Sequence, residues 1–109
     1  MSGTFEMKKS KAQFMWNLKA SNGRVILTSE RYSTKRSAEN GIESVRKNCK
    51  DDKCFDRKKA KNGKPYFSMI AKNKQVIGSS QMYSANSTME NGIRSIKANA
   101  KGAKIKDLT

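Results

Sequence analysis

Apolar and polar residues alternate over Phe14, Trp16, Leu18 and Ala20, and again over Phe67, Met69 and Ala71. This is the period of a strand with one buried face. Each run leads into a turn signal, Ser21-Asn22-Gly23 or Lys72-Asn73-Lys74, in which Asn and Gly tolerate the positive backbone angles of a tight hairpin. Return strands are predicted at 24–29 and 75–80. Shorter extended pieces precede the hairpins at 4–8 and 54–59, the second leading into the turn signal Lys61-Asn62-Gly63-Lys64, and 104–108 has room for an edge strand. After each hairpin the period lengthens. Ala38, Ile42 and Val45 fall at i, i+4, i+7, as do Met89, Ile93 and Ile96, so each trio shares one side of a helix. Helices are predicted over 34–48 and 85–99. Ser33 or Thr34 caps the first, and Ser87 with Glu90 reads as a capping box for the second. Asn48 and Asn99 are expected to stop them by entering the left-handed region.

These elements occur twice because the sequence does. Residues 14–49 and 65–100, 51 apart, align without a gap at 13 identities in 36 positions. Val25-Ile26 returns as Val76-Ile77, Tyr32-Ser33 as Tyr83-Ser84, and Glu39-Asn40-Gly41-Ile42 as Glu90-Asn91-Gly92-Ile93. A fixed period of this kind marks a duplicated unit whose copies bury their apolar faces against one another. Residues 1–109 are therefore read as one domain of two repeats, 1–52 and 53–109. Gly41 and Gly92 sit in mid-helix, where each costs about 1 kcal/mol relative to alanine. Their recurrence points to a structural role, the missing side chain letting the helix approach the sheet. Tyr32 and Tyr83 are read as staples between hairpin and helix start, the hydroxyl reaching solvent or backbone.

Asn-Gly before Val-Ile, then Ser-Glu-x-Tyr, then Ala-Glu-x-Gly-Ile-x-Ser-Val over residues 22–45, with counterparts at 76–83 and 90–99 and the tail Lys106-Asp107-Leu108-Thr109, resembles the YegP-like bacterial proteins of uncharacterised function. The resemblance implies an α+β fold of two tandem strand-strand-strand-helix-strand units. These join into one antiparallel sheet with two helices on one face and pseudo-two-fold symmetry, the terminal strand of one unit exchanged into the other. It further implies that the duplicated chain completes a pseudo-dimer by itself and is a monomer. It supplies no catalytic residues.

Composition narrows the function. The chain carries 24 Lys and Arg against 9 Asp and Glu, a net charge of +15, which favours phosphate backbones or other anionic surfaces as partners. Residues 53–109 hold +10 of that excess. Lys53, Arg57, Lys58, Lys59, Lys61 and Lys64 are six cations in twelve residues opposed by Asp56 alone. The longest aliphatic run, Val25-Ile26-Leu27, is far short of a membrane span, and 1–11 lacks the apolar stretch of a secretory signal. A cytoplasmic protein without a membrane partner is expected. Cys49 and Cys54 are expected to be free thiols there. With no histidine and no second cysteine pair, no metal is expected.

No enzyme is expected either, for want of histidine, a nucleophile elbow, a Gly-rich phosphate loop or any cofactor motif. Nucleic-acid binding without sequence preference is the reading preferred, through Lys53, Arg57, Lys58, Lys59, Lys61, Lys64, Tyr66 and Lys72. The sheet face away from the helices would add Met15, Asn17, Lys19, Ser68 and Ile70, a mixture suited to stacking and charge neutralisation on DNA or RNA. The competing reading is a protein-interaction module that takes a partner strand at a sheet edge.

Overall fold

The structure, a computed structural model, describes residues 3–109. Its elements are β1 (Thr4–Ser10), β2 (Gln13–Lys19), β3 (Val25–Ser29), α1 (Lys35–Asn48), a 3-10 turn (Asp52–Cys54), β4 (Phe55–Lys59), β5 (Pro65–Ile70), β6 (Val76–Ser79), α2 (Asn86–Asn99) and β7 (Lys104–Asp107). The seven strands form one sheet in the order β4-β5-β6-β3-β2-β1-β7. β3 and β6 pair antiparallel at its centre, where the two copies meet. Alternation sends Phe5, Met7, Trp16, Leu18, Leu27, Phe67 and Met69 to one side. There they join Ala38, Ile42 and Val45 of α1 and Met89, Ile93 and Ile96 of α2 in the buried core. Both helices therefore lie on one face, as their apolar stripes require.

Three hairpin turns use the same local chemistry. The amide of Arg24, Lys64 or Gln75 donates to the side-chain oxygen of Asn22, Asn62 or Asn73 two residues earlier, each at 3.0 Å. The residue between them takes a positive φ: Gly23 at 85°, Gly63 at 82° and Lys74 at 70°. Asparagine makes this turn readily because its short side chain bonds its own backbone. A fourth turn joins β1 to β2 through Lys11 and Ala12, both at positive φ, and carries no Asn or Gly signal.

Several details correct the expectations. Thr34 caps α1 by accepting from Ser37 N–H, but the Ser87–Glu90 box does not form. α2 begins after Ala85, whose N–H donates to the Thr88 hydroxyl; alanine offers no acceptor in return. Asn48 and Asn99 end their helices in helical rather than left-handed geometry, since the residues at positive φ lie elsewhere. Their side-chain amides instead donate to Ser44 and Ser95 carbonyls at 2.9 and 2.7 Å. The sheet is antiparallel except at one edge, where β7 runs parallel to β1. The exchanged strand is thus present, carried from the second copy to the first. Its counterpart after α1 is not, because that stretch forms the 3-10 turn and enters β4 directly.

Candidate nucleic-acid interface

The sheet face opposite the helices is built from the alternate residues of all seven strands. A polar row crosses it, one residue per strand: Lys106, Glu6, Asn17, Thr28, Ser79, Ser68 and Asp56. The Thr28 hydroxyl donates to Asn17 at 2.9 Å, and Ser68 and Ser79 share a hydrogen bond at 3.0 Å. Glu6 pairs with Lys19 at 3.0 Å and Lys8 at 3.4 Å, while Asp56 pairs with Lys58 at 3.6 Å. The Lys19 ammonium, more than Lys8, holds the Glu6 carboxyl below its ordinary range. Beside the row, Met15 faces Lys8 and Tyr66 faces Lys58. Tyr66 and Ile70 are half-buried on this face.

The basic run does not form one patch. Arg57 and Lys59 stand on the helix side of β4, opposite Phe67 and Pro65, whereas Lys58 stands on the open side. Lys61 and Lys64 belong to the β4–β5 turn, next to the Tyr66 end of β5. Lys53 lies at the other end, walling a small hollow with Lys72 and Lys74 under Ile70. Lys58, Lys61 and Lys64 therefore flank Tyr66, and Lys53 and Lys72 flank Ile70. Lys8, Lys104 and Lys106 share the open face, although sequence reasoning passed over them. The signal existed, because Phe5 and Met7 pointing inward send Glu6 and Lys8 outward.

Arg57 is otherwise engaged. Its guanidinium donates to Glu90 of α2 at 2.5 and 2.9 Å and to Asp52 at 3.0 and 3.3 Å. It holds both carboxyls below their ordinary values, with Lys97 assisting at Asp52. Because the folded-state values are depressed, this contribution to stability is present above about pH 4, where unfolded carboxylates ionise, and is lost as pH falls further. Arg57→Gln is therefore expected to be less stable than the parent at neutral pH. The difference should shrink on acidification in urea unfolding followed by circular dichroism.

The paired glycines and tyrosines meet one another in the structure. Tyr32 and Tyr83 lie between hairpin and helix. A side chain at Gly41 would meet the Tyr32 ring at 2.9 Å before Trp16 at 3.4 Å, and one at Gly92 would meet Tyr83 at 2.8 Å before Phe67 at 3.4 Å. The glycine notch receives the phenol, not the sheet itself. Tyr32 Oη then donates to the Ile77 carbonyl of the other copy at 3.4 Å. Burial pushes both phenols above their ordinary range.

Cys49 and Cys54 are buried free thiols, and burial, then Asp51, pushes the Cys54 thiol up, away from the reactive thiolate. Among the described residues no cluster of His, Cys, Asp and Glu has the arrangement to hold a metal, and no helix is long and apolar enough to cross a membrane. A cavity of about 330 Å³ between α1 and the β5–β6 turn is walled by Tyr32, Ser37, Asn40, Asn73, Gln75 and their apolar neighbours. These offer amides and hydroxyls but no carboxylate, thiol or amine.

The two-copy architecture has known counterparts. A domain of unknown function, DUF1508, matches at residues 10–56 and again at 60–107. A UPF0339 protein of Bordetella pertussis is 53% identical over 109 residues, covering 100% of this chain and 98% of its own. The UPF0339 protein YegP of Escherichia coli O157:H7 is 51% identical over 110 residues, covering 100% of each. The solution NMR structure of a UPF0339 protein from Shewanella oneidensis superposes with a TM-score of 0.94 at 52% identity, over 100% of this chain and 93% of that one. That of YegP from E. coli, described as a protein of unknown function, gives 0.94 at 51% identity, over 100% and 95%. With near-complete coverage in both directions and the domain matched twice, the chain belongs to the UPF0339/YegP family as a tandem DUF1508 protein.

Proposed function

We propose that this protein is a non-enzymatic module that binds single-stranded nucleic acid without regard to sequence, through the open face of its sheet. The observation that carries the reading is Tyr66, half-buried on a helix-free face, with Lys58 opposite it and Lys61 and Lys64 at its end of the strand. An aromatic platform framed by cations is what stacking on bases with neutralisation of the backbone requires. Met15 occupies the equivalent place in the first copy, so the second copy supplies the stacking surface. Lys104 and Lys106, which make no ion pair among the described residues, extend the positive field to the far edge. The module works as a monomer in the cytoplasm, where Cys49 and Cys54 remain thiols.

Fluorescence anisotropy with labelled single-stranded and duplex oligonucleotides at several salt concentrations tests this. Replacing Lys58, Lys61 and Lys64 with glutamine is expected to weaken binding about equally across sequences. It should also flatten the slope of log affinity against log salt by roughly 0.7 per lost contact on single strands. Tyr66→Ala should cost ~1–3 kcal/mol on single strands with little change in slope. Arg57→Gln should leave the slope unaltered, its charge being held by Glu90 and Asp52. Absence of saturable binding at about 50 mM salt, where phosphate contacts are strong, would overturn the reading. A protein-interaction module would then be the better account, favoured by the uncovered edge of β4.

A further inference from the structure

The two ends of the sheet are built alike and finished differently. Phe5 on β1 and Phe55 on β4 occupy equivalent places, opposite Leu18 and Met69. Each stands edge-on to an aromatic ring of the next strand, Trp16 or Phe67, at centroid distances of 5.2 and 5.8 Å. Each also carries a cation from a helix over its ring, Arg46 or Lys97, both at 5.6 Å. Yet β1 is covered on its outer side by β7, with Ile105 beside Phe5 and Asp107 beside Met7, whereas among the described residues β4 has β5 as its one neighbour. The cause lies in the chain. Residues 104–107 shifted back by the repeat length fall on 53–56, which the first copy spends on entering β4, leaving nothing to run alongside it.

We propose that the outer edge of β4 receives an extended acidic segment of a partner protein, lying parallel to β4 as β7 lies parallel to β1. An exposed edge offers main-chain hydrogen bonds to any strand that can approach, and side chains decide which can. Lys58 and Lys59 hold the last two of the five positions of β4 and Lys61 and Lys64 follow in the turn, while Asp56 pairs with Lys58 at 3.6 Å and Arg57 is held by Glu90 and Asp52. These lysines select a segment rich in Asp and Glu. β7 indicates its pattern. Ile105 and Asp107 point to the helix side, where Asp107 pairs with Lys35 at the start of α1 at 2.5 Å. An occupant of β4 would place an apolar residue beside Phe55 and carboxylates beside Lys58 and Lys59. The equivalent of Lys35 is Asn86, which carries no charge, so its recognition falls to the cations of β4 itself. Lys58 is shared with the open face, but the main-chain ladder along 55–59 belongs to the edge alone, so protection of those amides separates this site from nucleic-acid binding.

The test titrates the isotopically labelled full chain with a blocked Thr-Ile-Thr-Thr-Glu-Glu peptide, which in the register of β7 sets isoleucine beside Phe55, uncharged residues beside Asp56 and Arg57, and glutamates beside Lys58 and Lys59. Saturable binding is expected, with amide shifts and slowed hydrogen exchange concentrated in residues 55–59. Lys58→Glu with Lys59→Glu, both exposed positions, should weaken binding by about tenfold or more while leaving the rest of the spectrum in place. A peptide of the same charge with its backbone N-methylated should not bind, because it cannot join a ladder. The proposal is overturned by equal binding of the methylated peptide or by shifts centred on Tyr66 and Ile70. Failure of the parent peptide to bind at low salt overturns it too, as does a dimer of the free protein in light scattering with protection along β4.

Discussion

Trp16→Ala is expected to destabilise the protein by ~3–5 kcal/mol, the usual loss for truncating a buried aromatic residue, against a total stability of about 5–15 kcal/mol for a domain of this kind. Trp16 is fully buried, stands edge-on to Phe5, and donates its indole N–H to the Ala38 carbonyl at 3.0 Å. The second copy shows what a smaller ring does in the same place. There Phe67 is also fully buried, edge-on to Phe55, with no N–H to give. Trp16→Phe therefore installs in the first copy an arrangement the fold already contains, and its cost should be well below that of alanine, about 1–2 kcal/mol. Urea unfolding followed by far-ultraviolet circular dichroism measures both, since each variant lacks the chain's one tryptophan. Equal costs for phenylalanine and alanine would mean that the bond to Ala38, and not ring volume, holds α1 on the sheet.

That comparison is available because the repeat is legible in the sequence, and the repeat explains how much of the fold could be read. Apolar residues at spacing two and then at three and four placed β2, β5 and both helices to within a residue or two, because one face of each of these elements is buried and burial enforces the period. What escaped has a physical reason in each case. The turn at Lys11 and Ala12 adopts positive φ at both positions although neither residue favours it; the pairing of β1 with β2 on either side dictates the turn. Ala85 begins α2 without a side-chain acceptor because Thr88 serves its backbone from within the helix.

The candidate interface was less legible than the fold, because a run of cations carries no face. Six basic residues between 53 and 64 look like one patch in sequence, yet a strand turns alternate side chains to opposite sides. Lys58 therefore reaches the open face while Arg57 turns to Glu90 and Asp52. Glu90 lies 33 residues away on α2, a partner that local spacing cannot reveal. The parallel course of β7 was hidden in the same way. Four residues without a buried side chain give no alternation from which to read a direction, and only the pairing of Ile105 with Phe5 fixes it.

Gly41→Ala is expected to destabilise the protein in the parent chain and to stabilise it once Tyr32 is shortened to alanine. In an isolated helix the exchange is favourable by about 1 kcal/mol. Here the new methyl group would press on the Tyr32 phenol, within 2.9 Å of Cζ and nearer still to the hydroxyl oxygen, and overpacking of this kind costs ~1–3 kcal/mol. The clash therefore outweighs the propensity gain. Tyr32 cannot simply swing away, because its backbone N–H and carbonyl pair with Phe14 at 2.8 and 2.7 Å and its hydroxyl reaches the Ile77 carbonyl. With Tyr32→Ala in place the notch is empty and helix propensity alone remains, so the sign of the Gly41 effect reverses. The coupling between the two sites should be on the order of 2 kcal/mol, read from chemical denaturation of the four proteins of the cycle. Gly92 and Tyr83 repeat the geometry in the second copy and should repeat the reversal. Additive effects at both pairs would mean that the glycines serve the approach of the helix to the sheet, as the sequence first suggested, and that the tyrosines only happen to stand beneath them.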